Sequence, residues 1–356
     1  MPRPSLRNSC ILGLVAAGTV LAAFGGWRYA KASAPVSGPI VLVSIDGLSA
    51  GRLSSYGATD GVTPAIDQLA QDGVVFERAY SHAPLTLPSH VSLLTGRLPF
   101  QTTVRNNVGV AVPSSERLLQ EVLRDRGYLT AGVVSTAELD RSTGIGRGFT
   151  IFDDTLPERT SAMTGWPAHR AGTDAAEVAE HWLESARTPR AFLFVHLADL
   201  RAPGASLAGG NGEGLRAIDA AVDRLVRYLK QHQAYDQSTV VIVGAHGAAG
   251  GAGGGLIPHE GVLRVPLIVK RPAGESAGRR VHTLVQLADI APTILDLAKA
   301  PVPGNTHGRS LKPLLDGART EWARLVYSES AYGYYQFSWP PAMSIKRDAM
   351  ARRVMQ

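Results

Sequence analysis

Cysteine is almost absent from this chain of 356 residues, in which Cys10 is the only one. A single cysteine excludes an intramolecular disulfide framework and any zinc site built from cysteine thiolates. The 38 glycines and 22 prolines follow no period, so a collagen-like or low-complexity chain is excluded as well. Hydrophobic residues make up 45% of the chain and charged residues 19%. This composition predicts a folded protein with a large buried core.

A basic body is also missing, although the formal net charge is +6. The excess of lysine and arginine lies in residues 1–34, which contain no acidic residue, and in residues 346–356. The chain between these two ends is close to neutral. We therefore expect no nucleic-acid partner.

A long uncharged hydrophobic run, residues 10–27, follows Arg3 and Arg7. A basic start before an apolar run is the layout of an export signal or a signal anchor. The run is at the short end of the roughly 17–25 residues that a spanning helix needs. Small residues at 32–34 offer a cleavage site, but Pro35 follows them directly, so we expect an uncleaved single-pass anchor, with a cleaved peptide as the alternative. The arginines predict that the body is exported to the periplasmic or extracellular side of the cell membrane.

Short runs rich in β-branched residues alternate with amphipathic segments along the body. The predicted strands are residues 39–45, 74–76, 130–134, 191–197, 239–244 and 265–269, and the predicted helices are residues 65–72, 115–126, 174–186, 214–231 and 284–297. This alternation predicts an α/β fold with a mostly parallel sheet covered on both faces. Sites in such sheets lie where strands end. The polar residues at those ends are Asp46, His196, Asp199 and His246.

Four groups of segments carry a resemblance to a known family. They are residues 43–48 with 63–70, residues 79–81 with 86–90 and 93–97, residues 243–247 with 263–268, and residues 289–293 with 308–311. In order and spacing they resemble the sulfatase branch of the alkaline phosphatase superfamily. The resemblance implies an α/β/α sandwich with a mostly parallel central sheet and a small C-terminal antiparallel annex. It divides the chain into an anchor segment, 1–34, a sulfatase-like domain, 35–317, and an annex with a basic tail, 318–356.

The same resemblance implies attack on a sulfuryl or phosphoryl centre by a metal-held hydroxyl. By motif position the nucleophile is Thr86, at the start of a helix whose dipole favours an anion. Asp46, Thr86 and His246 match the positions that hold one divalent metal, for which Ca, Mn, Mg and Zn are candidates. Candidate catalytic residues are Thr86, His90 and Arg105, and candidate substrate-binding residues are Asn107, His196 and Arg201.

Threonine at position 86 bears on the substrate. Many relatives carry a cysteine or serine there that is matured to formylglycine, and threonine cannot undergo that maturation. Relatives with threonine resemble enzymes of phosphate, phosphodiester or phosphoglycerol transfer more than true sulfatases. The alternative for Thr86 is an ordinary helix cap, and the alternative for Asp46 is a residue that stabilises a turn.

Several positions depart from the family pattern. Ala245 replaces the metal-binding aspartate that precedes His246, and Arg201 replaces a histidine that often contacts the ester. His259 and Glu260 are possible replacement ligands, with a solvated loop pair as the alternative. Two functions therefore stay open. One is an anchored, exported, metal-dependent hydrolase or transferase of sulfate or phosphate esters, and the other is an inactive sulfatase-like protein that binds an anionic ligand or partner without metal.

Overall fold

The computed structural model describes residues 38–157, 169–201, 212–248, 257–318, 324–331 and 342–347. The anchor expected in residues 10–27 lies outside these ranges, as does the glycine-rich segment 249–256. Within the described ranges, no helix is long and apolar enough to cross a membrane. The divisions expected at residues 34 and 317 stay predictions.

A nine-stranded sheet organises the main domain. Its strands are β1 (Ile40–Gly47), β2 (Val74–Tyr80), β3 (Leu129–Val133), β4 (Ile151–Asp153), β5 (Ala191–Leu197), β6 (Thr239–Gly247), β7 (Arg264–Lys270), β8 (Arg279–Val281) and β9 (Val285–Gln286). Their order is β4-β3-β5-β1-β6-β7-β2-β8, and β9 also pairs with β2. Among these strands only β7 runs antiparallel to its neighbours, β6 and β2. The expected mostly parallel sheet is confirmed.

Helices pack against both faces of this sheet. They are α1 (Pro64–Asp72), α2 (Thr86–Thr95), α3 (Pro99–Thr102), α4 (Leu119–Asp125), α5 (Gly172–Ala186), α6 (Glu213–Gln231), α7 (Glu260–Leu263), α8 (Ile290–Leu297) and α9 (Lys312–Leu315). Along β1, Ile40 and Leu42 belong to the core shared with α2 and α8. Val41 and Val43 belong to the core shared with α5 and α6. The unbroken apolar run of β1 therefore reflects burial on both faces.

Two predicted helices begin later than the pattern indicated. The segment 115–126 becomes helical only at Leu119, because the amide of Leu118 donates to the Glu121 carboxylate at 2.9 Å and sets the start there. The segment 284–297 begins as strand β9, whose register pairs Val285 with Ala79 of β2, and its helix starts at Ile290. In this second case pairing at the sheet edge overrides the helical period of the sequence.

A two-stranded antiparallel hairpin follows the domain, as the resemblance implied. It consists of β10 (Leu325–Ser330) and β11 (Ala342–Arg347). The hairpin is bound to the loop that leads into α2. Nδ1 of His82 donates to the Tyr327 carbonyl at 2.7 Å, and the amide of Glu329 donates to the His82 carbonyl at 2.9 Å. The annex is therefore connected to the segment that carries Thr86.

Candidate active site

Three parallel strands bring polar side chains to one edge of the sheet. β1 pairs with β5 on one side and β6 on the other, and the register places Ser44 beside His196 and Asp46 beside His246. Because the carboxyl ends of parallel strands meet at one edge, these residues converge there. The start of α2 reaches the same edge and brings Thr86 to Asp46.

Thr86 lies against the carboxylate of Asp46, and both side chains are buried. The Thr86 hydroxyl Oγ1 donates to Asp46 Oδ2 at 2.6 Å. The amide of the next residue, Leu87, donates to Oδ1 of Asn107 at 2.9 Å, so Asn107 supports the first turn of α2. A hydroxyl held by a buried acceptor is the arrangement expected of a nucleophile and the group that positions it.

Two imidazoles flank the same carboxylate. Nε2 of His196 lies 3.4 Å from Asp46 Oδ2, and Nε2 of His246 lies 3.5 Å from Oδ1. Burial alone would raise the pKa of Asp46, but the charges of His246 and His196 hold that pKa well below its usual range. Asp46 is therefore an anion at all physiological pH values.

The hydrogen-bond partners of the two rings set different tautomers. Nδ1 of His246 donates to the Gly247 carbonyl at 3.0 Å, which leaves the lone pair of a neutral ring on Nε2. Nδ1 of His196 instead accepts from the Ser135 amide at 3.3 Å, so a neutral ring carries its hydrogen on Nε2. When neutral, His246 therefore has its electron pair on Nε2, and His196 has its hydrogen there.

His90 lies one turn of α2 beyond Thr86. Its Nδ1 donates to the Thr86 carbonyl at 2.7 Å, and its Nε2 accepts from the Ser44 hydroxyl at 2.8 Å. Its ring meets the ring of His196 edge-on at 4.9 Å between centroids. Burial, together with the nearby His196, lowers the pKa of His90 to about 3. His90 is therefore neutral near pH 7 and positions other groups through fixed hydrogen bonds.

Arg105, a predicted catalytic residue, is engaged by the hairpin. Its Nε and Nη2 donate to the two carboxylate oxygens of Glu329 at 2.5 and 2.9 Å. The hydroxyl of Tyr327 donates to the same carboxylate at 2.5 Å. Glu329 is buried, whereas the Arg105 side chain is 31% exposed. An anionic substrate would share the Arg105 guanidinium with an internal carboxylate.

The two possible replacement ligands lie at the start of α7. His259 is the residue before this helix, and Glu260 is its first residue. The Glu260 carboxylate accepts from the Tyr80 hydroxyl at 2.7 Å and pairs with Lys346 of β11. The structure thus places Glu260 in a contact between the domain and the hairpin. Arg201 ends the turn Asp199–Arg201 that follows β5, and its side chain lies outside the described part of the chain.

Sequence reasoning missed two residues of this region. Ser44 carried a signal, because it is a polar residue in a buried strand and lies two positions before Asp46, on the same side of the strand. Glu329 carried none, because its partner Arg105 lies 224 positions away. Ala245 is buried, and its carbonyl accepts from the Ser81 hydroxyl at 2.6 Å.

The donors around Asp46 fit a divalent metal. One carboxylate oxygen of Asp46 and one ring nitrogen each of His90 and His196 lie within 4.8 Å of one another. Nε2 of His196 and Nε2 of His246 are buried, and within the described ranges neither has a hydrogen-bond partner. Buried polar atoms normally have such partners, and of these two nitrogens Nε2 of His246, which has the electron pair in a neutral ring, indicates a site that a cation completes.

The site combines a buried hydroxyl, a carboxylate and imidazoles at the carboxyl edge of a mostly parallel sheet. This combination is typical of α/β proteins that transfer a group from an anionic ester with the help of a metal ion. Comparison with family models makes this class specific. The Sulfatase model matches residues 39–300, and the model described as N-sulphoglucosamine sulphohydrolase, C-terminal, matches residues 257–352. The chain belongs to the sulfatase family.

Named relatives agree with this assignment. N-acetylgalactosamine-6-sulfatase of Rattus norvegicus is 29% identical over 350 residues, which cover 80% of this chain and 67% of the relative. Arylsulfatase A of Homo sapiens is 29% identical over 347 residues, which cover 78% and 68%. The chain thus spans about two thirds of the length of these relatives.

Solved structures share the fold. A structure described as a 2-O GAG sulfatase superposes with a TM-score of 0.68 at 20% identity and covers 83% of this chain and 78% of its own. Phosphonate monoester hydrolase of Agrobacterium radiobacter superposes with a TM-score of 0.66 at 20% identity, with 90% of both chains covered. These similarities support the expected α/β/α architecture.

Proposed function

We propose that this chain is a metal-dependent hydrolase or transferase of phosphate or sulfate esters, with Thr86 as its nucleophile. The observation that carries the proposal is the 2.6 Å hydrogen bond from Thr86 Oγ1 to Asp46 at the start of α2. The named relatives are sulfatases, and one solved neighbour is a phosphonate monoester hydrolase. Threonine favours the phosphate esters of this range, because it cannot be matured to formylglycine.

In the proposed reaction, Thr86 Oγ1 forms a bond to phosphorus or sulfur as the bond to the leaving oxygen breaks. The hydroxyl proton passes to Asp46 and from Asp46 to the departing oxygen, while the hydrogen on Nε2 of His196 stays on the ring as a hydrogen-bond donor. Water then cleaves the threonine ester and releases phosphate or sulfate, or an acceptor alcohol takes up the group. Each step exchanges one bond for another without oxidant or reductant.

Asp46 is a weak base, because its pKa lies well below the usual range. Asp46, His246 and Thr86 are the residues that would hold the metal. When bound, a divalent cation supplies the missing activation by lowering the pKa of the hydroxyl and neutralising the ester.

The amides of α2 give limited help to an anion. The amide of Leu87 is already bound to Asn107, and Pro88 has no amide hydrogen. Positive charge must therefore come from other groups. Arg105 shares its charge with Glu329, so we prefer a mechanism in which a bound metal supplies positive charge.

A purified full-length chain tests the proposal. We expect it to hydrolyse an aryl phosphate, phosphodiester or phosphonate in preference to an aryl sulfate, and to lose activity in chelator and in the Thr86→Ala variant. A Thr86→Ser variant, which keeps the hydroxyl, is the matched control. Turnover that survives both the chelator and Thr86→Ala would refute the mechanism.

A second function, binding of an anionic ligand without turnover, is favoured by two observations. Ala245 brings no ligand to the site, and Glu329 already neutralises Arg105. This alternative is supported if the folded chain hydrolyses none of these esters but phosphate or sulfate raises the temperature at which it unfolds. Location in the membrane through residues 10–27, with the body exported, is likewise a proposal and rests on the sequence.

A further inference from the structure

The metal donors around Asp46 differ in kind from those that bind a hard cation. Calcium and magnesium prefer sites made of oxygen ligands, whereas imidazole nitrogen suits zinc and its neighbours. Within 4.8 Å of one another the donors include a single carboxylate, from Asp46, beside imidazoles of His90 and His196. Ala245 contributes a methyl group where another carboxylate would add oxygen.

His246 is prepared as a ligand by its backbone. The bond from Nδ1 to the Gly247 carbonyl fixes the tautomer of a neutral ring and leaves its electron pair on Nε2, which lies 3.5 Å from Asp46 Oδ1. Metal-binding histidines typically have this second bond, which orients the ring and raises its basicity. A lone pair that faces a carboxylate is repelled by it, so the two atoms need a positive charge between them, which a bound cation or a proton on Nε2 supplies.

The spacing fits a shared cation better than a direct contact. The distance of 3.5 Å from His246 Nε2 to Asp46 Oδ1 is longer than an ordinary hydrogen bond. With zinc bonds of about 2.0–2.1 Å, two ligands of a tetrahedral ion are separated by roughly 3.3–3.4 Å. The two donors therefore need almost no movement to bind one ion.

His90 adds a second lone pair, and His196 does not. Because Nδ1 of His90 donates to the Thr86 carbonyl, its Nε2 is an acceptor that Ser44 now occupies. Ligation through Nε2 of His196 would require a hydrogen on Nδ1, where the Ser135 amide already donates. The tautomers thus make His246 and His90 the candidate metal ligands of this cluster and His196 its hydrogen-bond donor.

We propose that this site selects a zinc-class cation over calcium or magnesium, with Asp46 and His246 as its anchoring ligands. The proposal rests on the metal site of the proposed function and names the chemistry of its metal. It makes His246 the residue that determines selectivity, because of the two ring nitrogens without a hydrogen-bond partner among the described residues only Nε2 of His246 has an electron pair in the neutral ring.

Metal binding to the full-length chain, freed of metal and kept in detergent, tests this inference without an activity assay. Calorimetric titrations with Zn²⁺, Ca²⁺, Mg²⁺ and Mn²⁺ should show zinc bound at least about 100-fold more tightly than calcium. Co²⁺, used as a spectroscopic probe, should give the strong visible absorption of a tetrahedral site. Equal affinity for zinc and calcium, or no uptake of any ion, would overturn the proposal.

Variants identify the site. His246→Ala should weaken zinc binding by about 10–100-fold or more and abolish the cobalt spectrum. His181→Ala removes an exposed histidine of α5 and is the matched control for incidental zinc binding. Equal losses in the two variants would contradict the assignment. Tight zinc binding without turnover of any ester would refute the proposed function alone, whereas turnover that needs calcium and ignores zinc would refute this inference alone.

Discussion

The two sides of the candidate site are built differently. On the side of β1 and α2, hydrogen bonds of 2.6 to 2.9 Å hold Thr86, His90 and Asn107. On the side of β6, Ala245 has no side-chain donor, and His246 approaches Asp46 only to 3.5 Å. The β1–α2 side, which carries the proposed nucleophile and is called the nucleophile side below, is therefore preorganised by protein contacts, whereas no hydrogen bond among the described residues holds Nε2 of His246 at Asp46.

This difference has two explanations: the β6 side is either the remnant of a lost metal site or a metal site rebuilt around His246. If it is a remnant of a lost site, changes there will have small effects on binding and catalysis. If it is a rebuilt site centred on His246, changes there will matter as much as changes on the nucleophile side. Variants on the two sides decide between these cases, since each side can be altered without touching the other.

The largest effect should come from the nucleophile side. Thr86→Ala removes the oxygen that we propose as the nucleophile, and we expect kcat to fall by at least about 10³-fold. Loss of the hydroxyl also leaves Asp46 with one partner fewer, so the free energy of unfolding should fall by about 1–3 kcal/mol. Steady-state kinetics and urea unfolding measure the two quantities. Thr86→Ser should restore most of both, and a Thr86→Ala variant with unchanged kcat would assign the chemistry to other residues.

The nucleophile side was also the part that the sequence indicated best. The run before Asp46 predicted a strand buried on both faces, which β1 is, and the resemblance placed Thr86 at the start of a helix, where α2 begins. The contact between Arg105 and Glu329 could not be predicted in this way, because no local pattern reports a partner across the chain. Strand β9 was read as helix for a similar reason, since only its pairing with β2 makes it a strand.

The second prediction alters the β6 side by adding a carboxylate. Ala245→Asp introduces a charge at a fully buried position next to His246, the residue that pairs with Asp46, and without metal we expect a loss of several kcal/mol in the free energy of unfolding. Added calcium or magnesium should recover much of this loss, because the new oxygen ligands suit a hard cation. Thermal unfolding with and without each ion measures both effects. Ala245→Asn, which has nearly the same shape but no charge, is the control.

A remnant would behave differently in this experiment. In that case Ala245→Asp would destabilise the chain equally with and without ions, because no cation would be held. Recovery by ions in Ala245→Asp but not in Ala245→Asn would show that the β6 side can still form a metal site.

The third prediction concerns acid, which should weaken the loop that leads into α2. Burial lowers the pKa of His82 to about 4, against about 6.5 in an unfolded chain. The unfolded state therefore binds more protons between pH 6.5 and 4, and stability falls as the pH falls through this window. The loss attributable to His82 should approach about 3 kcal/mol at the acid end.

Urea unfolding at several pH values checks this expectation. His82→Asn should be less stable than the parent at pH 7, because bonds to the Tyr327 carbonyl and the Ala288 amide are lost. Between pH 6.5 and 4 its stability should nevertheless fall less steeply. His181→Asn alters an exposed histidine and should keep the parental slope. Equal slopes in all three proteins would remove His82 as the source of the acid sensitivity.

The smallest effect should come from the hairpin, whose Glu329 carboxylate pairs with the Arg105 guanidinium. Glu329→Gln keeps the shape of the side chain but removes its charge, so Arg105 becomes available to an anionic ester. We expect KM for an anionic substrate to fall a few-fold while kcat changes little, because the interaction acts on the bound ester as a whole. Glu260→Gln is the matched control, since Glu260 joins the same hairpin to the domain through Lys346 and Tyr80 without contacting Glu329 or Arg105 in the described structure. A lower KM in both variants would trace the effect to loosening of the hairpin, and a lower KM in Glu329→Gln alone would identify Arg105 as an anion-binding residue that the hairpin holds in check.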